Sequence, residues 1–106
     1  MLSGYRILWV FTMFDLPVTS KSQRRAALRF RNHLLELGFE MVQFSIYARH
    51  CYSRERVDTL VPKIKAEVPE DGKVKILTIT DKQFSQIQHF GKGGKKPVRA
   101  RQLTLF

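Results

Sequence analysis

Asp15 closes the stretch YRILWVFTMFDLP, in which Thr12 is the only polar residue between Ile7 and Phe14. A carboxylate at the end of so apolar a run is fixed by whatever buries the run. Its oxygens are hard ligands, and magnesium (or manganese) is commonly held by one or two carboxylates, with waters and substrate phosphates completing the shell. One residue type would suffice if a two-fold axis brought two copies of Asp15 together. The ion would then activate a water and stabilise the leaving oxygen of a phosphodiester. The plainer role is an aspartate that ends a strand before Pro17 and accepts backbone hydrogen bonds. No D-x-D or E-x-x-x-D pair accompanies Asp15, so a single chain would be a poor nuclease.

Lys21, Arg24, Arg25, Arg29 and Arg31 follow, with no acid between Asp15 and Glu36 to balance them. Bases on a helix are commonly just its solvated side, but an unbalanced set suits phosphate contact, which carries no sequence code. The whole chain has 19 Lys and Arg against 9 Asp and Glu, a formal charge of +10. That excess favours a polyanionic partner, either nucleic acid or an acidic membrane surface. Lys92, Lys95, Lys96, Arg99 and Arg101 meet no acid in residues 91–106, so half the net charge lies there. These tail bases are further candidates for gripping DNA, or else a solubilising extension.

His33, His50, Cys51 and His89 do not have the spacing of a tetrahedral zinc site, since the adjacent His50 and Cys51 point to opposite strand faces. A single cysteine rules out an internal disulfide framework and suits a reducing cytoplasm. The apolar run is far short of the ~20 residues that span a bilayer. Asp-Leu-Pro also stands where a signal peptide would have small residues. A cytoplasmic protein with no membrane association is expected.

At 106 residues the chain should form one domain around one core. Residues 7–14 are apolar at both alternations, as in a central strand covered on both faces. Thr19 and Ser20 offer N-caps for a helix running to about Leu37, with Gly38 as its stop. Ala26, Ala27, Phe30, Leu34 and Leu37 share one face of that helix, opposite Lys21, Arg25, Arg29 and Asn32. In FEMVQFSIYARHCY, Val42, Phe44, Ile46 and Ala48 alternate with Gln43, Ser45, Tyr47 and Arg49. The second row is expected on the sheet face that the helices leave uncovered, packing a dimer interface or, with Tyr47, stacking on RNA bases.

Ser53 can cap a second helix to about Val68, in which Pro62 predicts a kink or a helix in two pieces. PEDGK is a turn and residues 74–80 a further strand. Thr80-x-x-Gln83 can open one helical turn, and residues 85–90 could form a short last strand. Strand, helix, strand, helix, strand, with a bend that can split the second strand, gives an α+β, ferredoxin-like split βαβ domain over residues 1–90. Residues 91–106 form a basic flexible tail ending in the apolar segment QLTLF. Two helices cover one face of such a sheet, so the other must meet something.

FDLP closing the first strand, FRNHLLELGFEMVQFSIYAR at residues 30–49 and VKILTITDKQF at 74–84 together resemble the CRISPR-associated protein two family, the small adaptation subunit, in its type II form. The resemblance covers nearly all of residues 5–90, and QLTLF is similar to the tails of some such members. Pro62 departs from it. The resemblance implies a homodimer with facing sheets and, in some members, metal-dependent endonuclease activity on RNA or DNA, with Asp15 at the metal-binding position. It further implies scaffolding of the CRISPR integrase subunit on duplex DNA during spacer acquisition, the alternative being that nuclease action is the main work. Leu103, Leu105 and Phe106 alternate with Gln102 and Thr104, the period of a short strand that docks on the integrase or folds back on its own dimer.

Overall fold

A computed structural model describes residues 7–92. Its elements run β1 (Leu8–Asp15), α1 (Lys21–Glu36), β2 (Glu40–Gln43), β3 (Ile46–Cys51), α2 (Arg54–Lys65), β4 (Lys73–Thr80) and α3 (Asp81–Ser85). The four strands form one sheet in the order β2-β3-β1-β4, every neighbouring pair antiparallel. β3 thus lies between β1 and β2, and β1 between β3 and β4, which is the ferredoxin-like double split βαβ.

β1 is central because its residues suit burial on both sides. Val10 and Phe14 pack under the helices with Ala27, Phe30, Leu34, Tyr47, Val57, Leu60 and Ile64. Trp9 and Phe11 point the other way, with Ala48 and Phe84. Ser20 caps α1 in a capping box with Gln23, and the first turn holds no acid. The helix ends in a Schellman motif: Gly38 takes φ +91°, and Phe39 N–H donates to Leu34 O at 3.0 Å. Only a residue without Cβ adopts that backbone freely, which is why the helix stops there.

Three expectations are corrected. Val42, Ile46 and Ala48 do share a face, but it is the one away from α1 and α2, whereas Tyr47 is 4% exposed beneath the helices. Tyr47 pairs across the sheet with Thr12 and Ala48 with Phe11, so the register with β1 decides the face, and alternation alone does not. α2 is uninterrupted to Lys65 despite Pro62, although it ends before Val68. Pro62 forfeits one i−4 bond without ending the helix, and Glu67 and Val68 close on Ile64 and Lys65 through i−3 bonds. Residues 86–92 form no strand in the single chain.

α3 covers one end of the second sheet face. Thr80 caps it in a capping box with Gln83. Phe84 stacks on Trp9 at 3.9 Å between ring centroids and 10° between planes. Trp9 Nε1–H donates to Asp81 Oδ1 at 2.7 Å, and Asp81 N–H to Ile7 O at 3.0 Å. Trp9 is 0% exposed. Trp9→Ala is therefore expected to cost ~3–5 kcal/mol in urea unfolding. Trp9→Phe should keep the stacking but strand the Asp81 carboxylate, losing less. A cost under ~1 kcal/mol for the alanine variant would mean that α3 does not hold this face.

Candidate functional site

Asp15 is the last residue of β1, exposed, on the face away from α1 and α2, with Lys73 of β4 as its cross-strand partner. Phe14 beside it is buried against Phe30 at 5.2 Å and Tyr47 at 5.5 Å between ring centroids. The backbone at Asp15 is thus anchored while its side chain is free. Among the described residues the carboxylate has no hydrogen-bond or ion-pair partner, so the plainer role of accepting backbone hydrogen bonds is not used. No three His, Cys, Asp or Glu side chains of the described residues gather into a metal set. As a hard, uncommitted oxygen ligand Asp15 fits magnesium or manganese as one member of a set that a second copy would complete.

The middle of α1 crosses this end of β1, since Phe30 and Arg31 both meet Phe14. Lys21, Arg25 and Arg29, spaced by four, form an exposed row with no carboxylate partner among the described residues. Arg24 is exposed but committed: its Nη1 donates to Val18 O and Thr19 O, both at 3.1 Å. Arg31 is half-buried, its guanidinium 4.7 Å from the Phe44 ring centroid and 5.8 Å from that of Phe14. Lys92 is exposed at the limit of the described residues. Lys95, Lys96, Leu103, Leu105 and Phe106 lie outside them. The structure therefore brings Asp15 and Arg31 to one end of the sheet, on opposite faces, and gives the five α1 bases different duties.

The protein-family model described as CRISPR associated protein Cas2 matches residues 8–87, from the first residue of β1 to just past α3. The chain belongs to the Cas2 family. It is 46% identical over 108 residues to the CRISPR-associated endoribonuclease Cas2 of Paracidovorax avenae, with both chains covered in full. It is 45% identical to the protein of the same name from Flavobacterium psychrophilum, covering 99% of this chain and 93% of that one. Against the Campylobacter jejuni protein of that name it is 36% identical, over 95% and 73% respectively.

Within this Cas2-family fold His33, His50 and the cysteine serve packing, while His89 is exposed. His50 contacts Trp9 and Tyr52, and Cys51 is buried beneath the helices on the opposite face, as adjacent strand residues require. Burial pushes the Cys51 thiol up, against the pull of the Arg49 and Arg56 guanidinium groups. The His33 ring bonds Lys63 O through Nε2 at 2.7 Å, tying α1 to α2. Arg49, on the helix-covered face, donates from Nη1 to Leu37 O at 2.6 Å and fixes the end of α1. No helix of the described residues is long and apolar enough to cross a membrane.

Phe44 is the residue whose place the sequence pattern conceals, since alternation puts it in an apolar strand row. It sits in the β2–β3 turn and is 76% exposed. Nothing in the spacing of FEMVQFSIY marks the turn, because it falls at Phe44-Ser45 and uses Ser45 at φ +69°, where glycine or asparagine is usual.

Proposed function

We propose that the chain acts in the cytoplasm as a homodimeric CRISPR adaptation subunit that binds duplex DNA without sequence preference and scaffolds the integrase during spacer acquisition. The observation that carries this is the exposed, unpaired row Lys21, Arg25 and Arg29 on a chain of net charge +10. Such a row offers phosphates charge that no internal carboxylate neutralises. Dimerisation is supported by the second sheet face, where Leu77 is 48% exposed and Val42, Ile46 and Ile79 are only partly covered. Packing that face on a second copy buries apolar surface on the same side as Asp15. Residues 86–90, which follow α3, would consolidate the pair by adding to the partner's sheet edge.

Paired Asp15 carboxylates would hold magnesium or manganese. The ion when bound supplies an activated water and a counter-charge for the leaving oxygen. The residue's own part is positional, because β1 fixes its backbone. A second reading, in which endonuclease action is the main work, is favoured by the absence of any structural partner for Asp15 among the described residues and by the name endoribonuclease carried by the relatives. RNA would then be the substrate of choice.

Light scattering at micromolar concentration should give the mass of a dimer, and a folded monomer would sink the proposal. For the tail, deletion of residues 102–106 is expected to abolish capture of the protein by the integrase while leaving its melting temperature unchanged. Retained capture with a lowered melting temperature would mean that Leu103, Leu105 and Phe106 pack on their own dimer instead.

A further inference from the structure

The turn between β2 and β3 lies where β1 ends. Phe14 N–H donates to Ser45 O at 3.0 Å, with Asp15 following Phe14 and Phe44 preceding Ser45. Phe44 is thus a large aromatic side chain, mostly in water, at the same end of the sheet as Asp15 but with its ring on the α1 side. The core makes no use of it. Its backbone is nonetheless held firmly, by the bond to Phe14 and by the left-handed Ser45. The Arg31 guanidinium stands 4.7 Å from the ring centroid, which backs one face of the ring and leaves the other open.

We propose that Phe44 is a stacking platform for one unpaired nucleobase, whose phosphate lies toward the α1 bases at the end of the sheet that carries Asp15. This rests on the phosphodiester reading of Asp15 and deepens it by naming the form of the substrate. In a duplex both faces of a base are occupied by its neighbours, so only a splayed-out base can stack on a protein ring. Stacking on an aromatic residue tolerates any sequence, because each base has a π face, and it suits a site that otherwise meets only phosphates. Arg31 then acts as the positioning residue that holds the ring. Duplex DNA would still bind along the α1 row, while the Asp15 end engages single strands, RNA loops or frayed ends.

The test measures fluorescence anisotropy of a labelled single-stranded RNA, the matching single-stranded DNA and a blunt DNA duplex, all with the divalent metal chelated so that nothing is cut. Phe44→Ala should weaken single-strand binding by roughly 5- to 150-fold, leave the blunt duplex within about twofold, and leave the melting temperature and oligomeric mass unchanged. Phe44→Trp should restore single-strand affinity, and Phe44→Leu, apolar without a π face, should not. In parallel, 2-aminopurine fluorescence in the single strand should be quenched by the wild type and the tryptophan variant only. Equal losses on single strand and duplex, no loss on either, or rescue by leucine would overturn the proposal. Loss of dimer mass in Phe44→Ala would also overturn it, making Phe44 an interface residue. Failure of the wild type to bind any of the three would instead remove the nucleic-acid reading itself.

Discussion

Arg25→Ala combined with Arg29→Ala should lower duplex DNA affinity and flatten its dependence on salt. Each phosphate contact releases counterions from the duplex and contributes about 0.9 to the slope of log affinity against log salt. Loss of these two arginines should therefore lower that slope by about 1.8 for each chain of the proposed dimer that contacts the duplex. Between 1 M and 0.1 M salt each phosphate contact is worth about eightfold, so the pair accounts for about sixtyfold at the lower concentration. Both side chains are exposed and make no hydrogen bond or ion pair among the described residues, so the melting temperature should not move. Arg24 is a poorer probe, because its removal frees the carbonyls of Val18 and Thr19 and disturbs the entry to α1. An unchanged slope in the double variant would reduce the row to solvated surface.

Asp15→Asn should remove metal-dependent hydrolysis while leaving DNA binding and the fold intact. The substitution keeps shape and removes charge, and Asp15 has no internal partner among the described residues whose loss would destabilise the chain. Groups one layer behind a metal ligand typically account for 10- to 100-fold in affinity or activity, so loss of the ligand itself should cost at least about 100-fold. Two carboxylates held close without an ion repel each other. The proposed wild-type dimer should therefore be weaker in chelator than with magnesium or manganese, whereas an Asp15→Asn dimer should be indifferent to either. Cleavage that survives in highly purified Asp15→Asn protein would put the site elsewhere.

The sequence carries these inferences unevenly, for physical reasons. β1 could be recognised because a run apolar at both alternations has few other places to go, and α1 because Ser20 and Gly38 mark both ends. The split of FEMVQFSIYARHC into two strands rests on Ser45 in a conformation its residue type does not advertise. The face of Tyr47 depended on pairing with β1, a long-range fact. α3 is five residues long, and its cover of Trp9 comes from a stacked ring and one hydrogen bond between residues 72 positions apart. For the site, Asp15 and the exposed α1 row were legible from type and spacing. The separate duties of Arg24 and Arg31 were not, since backbone carbonyls and the Phe44 ring claim them only in three dimensions.

On the proposed function, nucleic-acid scaffolding and Asp15 chemistry are separable activities of one small protein. The most direct test is spacer integration into a CRISPR array, reconstituted with the integrase subunit and either wild type, Asp15→Asn or the Arg25→Ala, Arg29→Ala protein. Integration should stay close to wild type with Asp15→Asn and fall markedly with the double arginine variant. Integration abolished by Asp15→Asn yet unaffected by loss of the two arginines would contradict that separation.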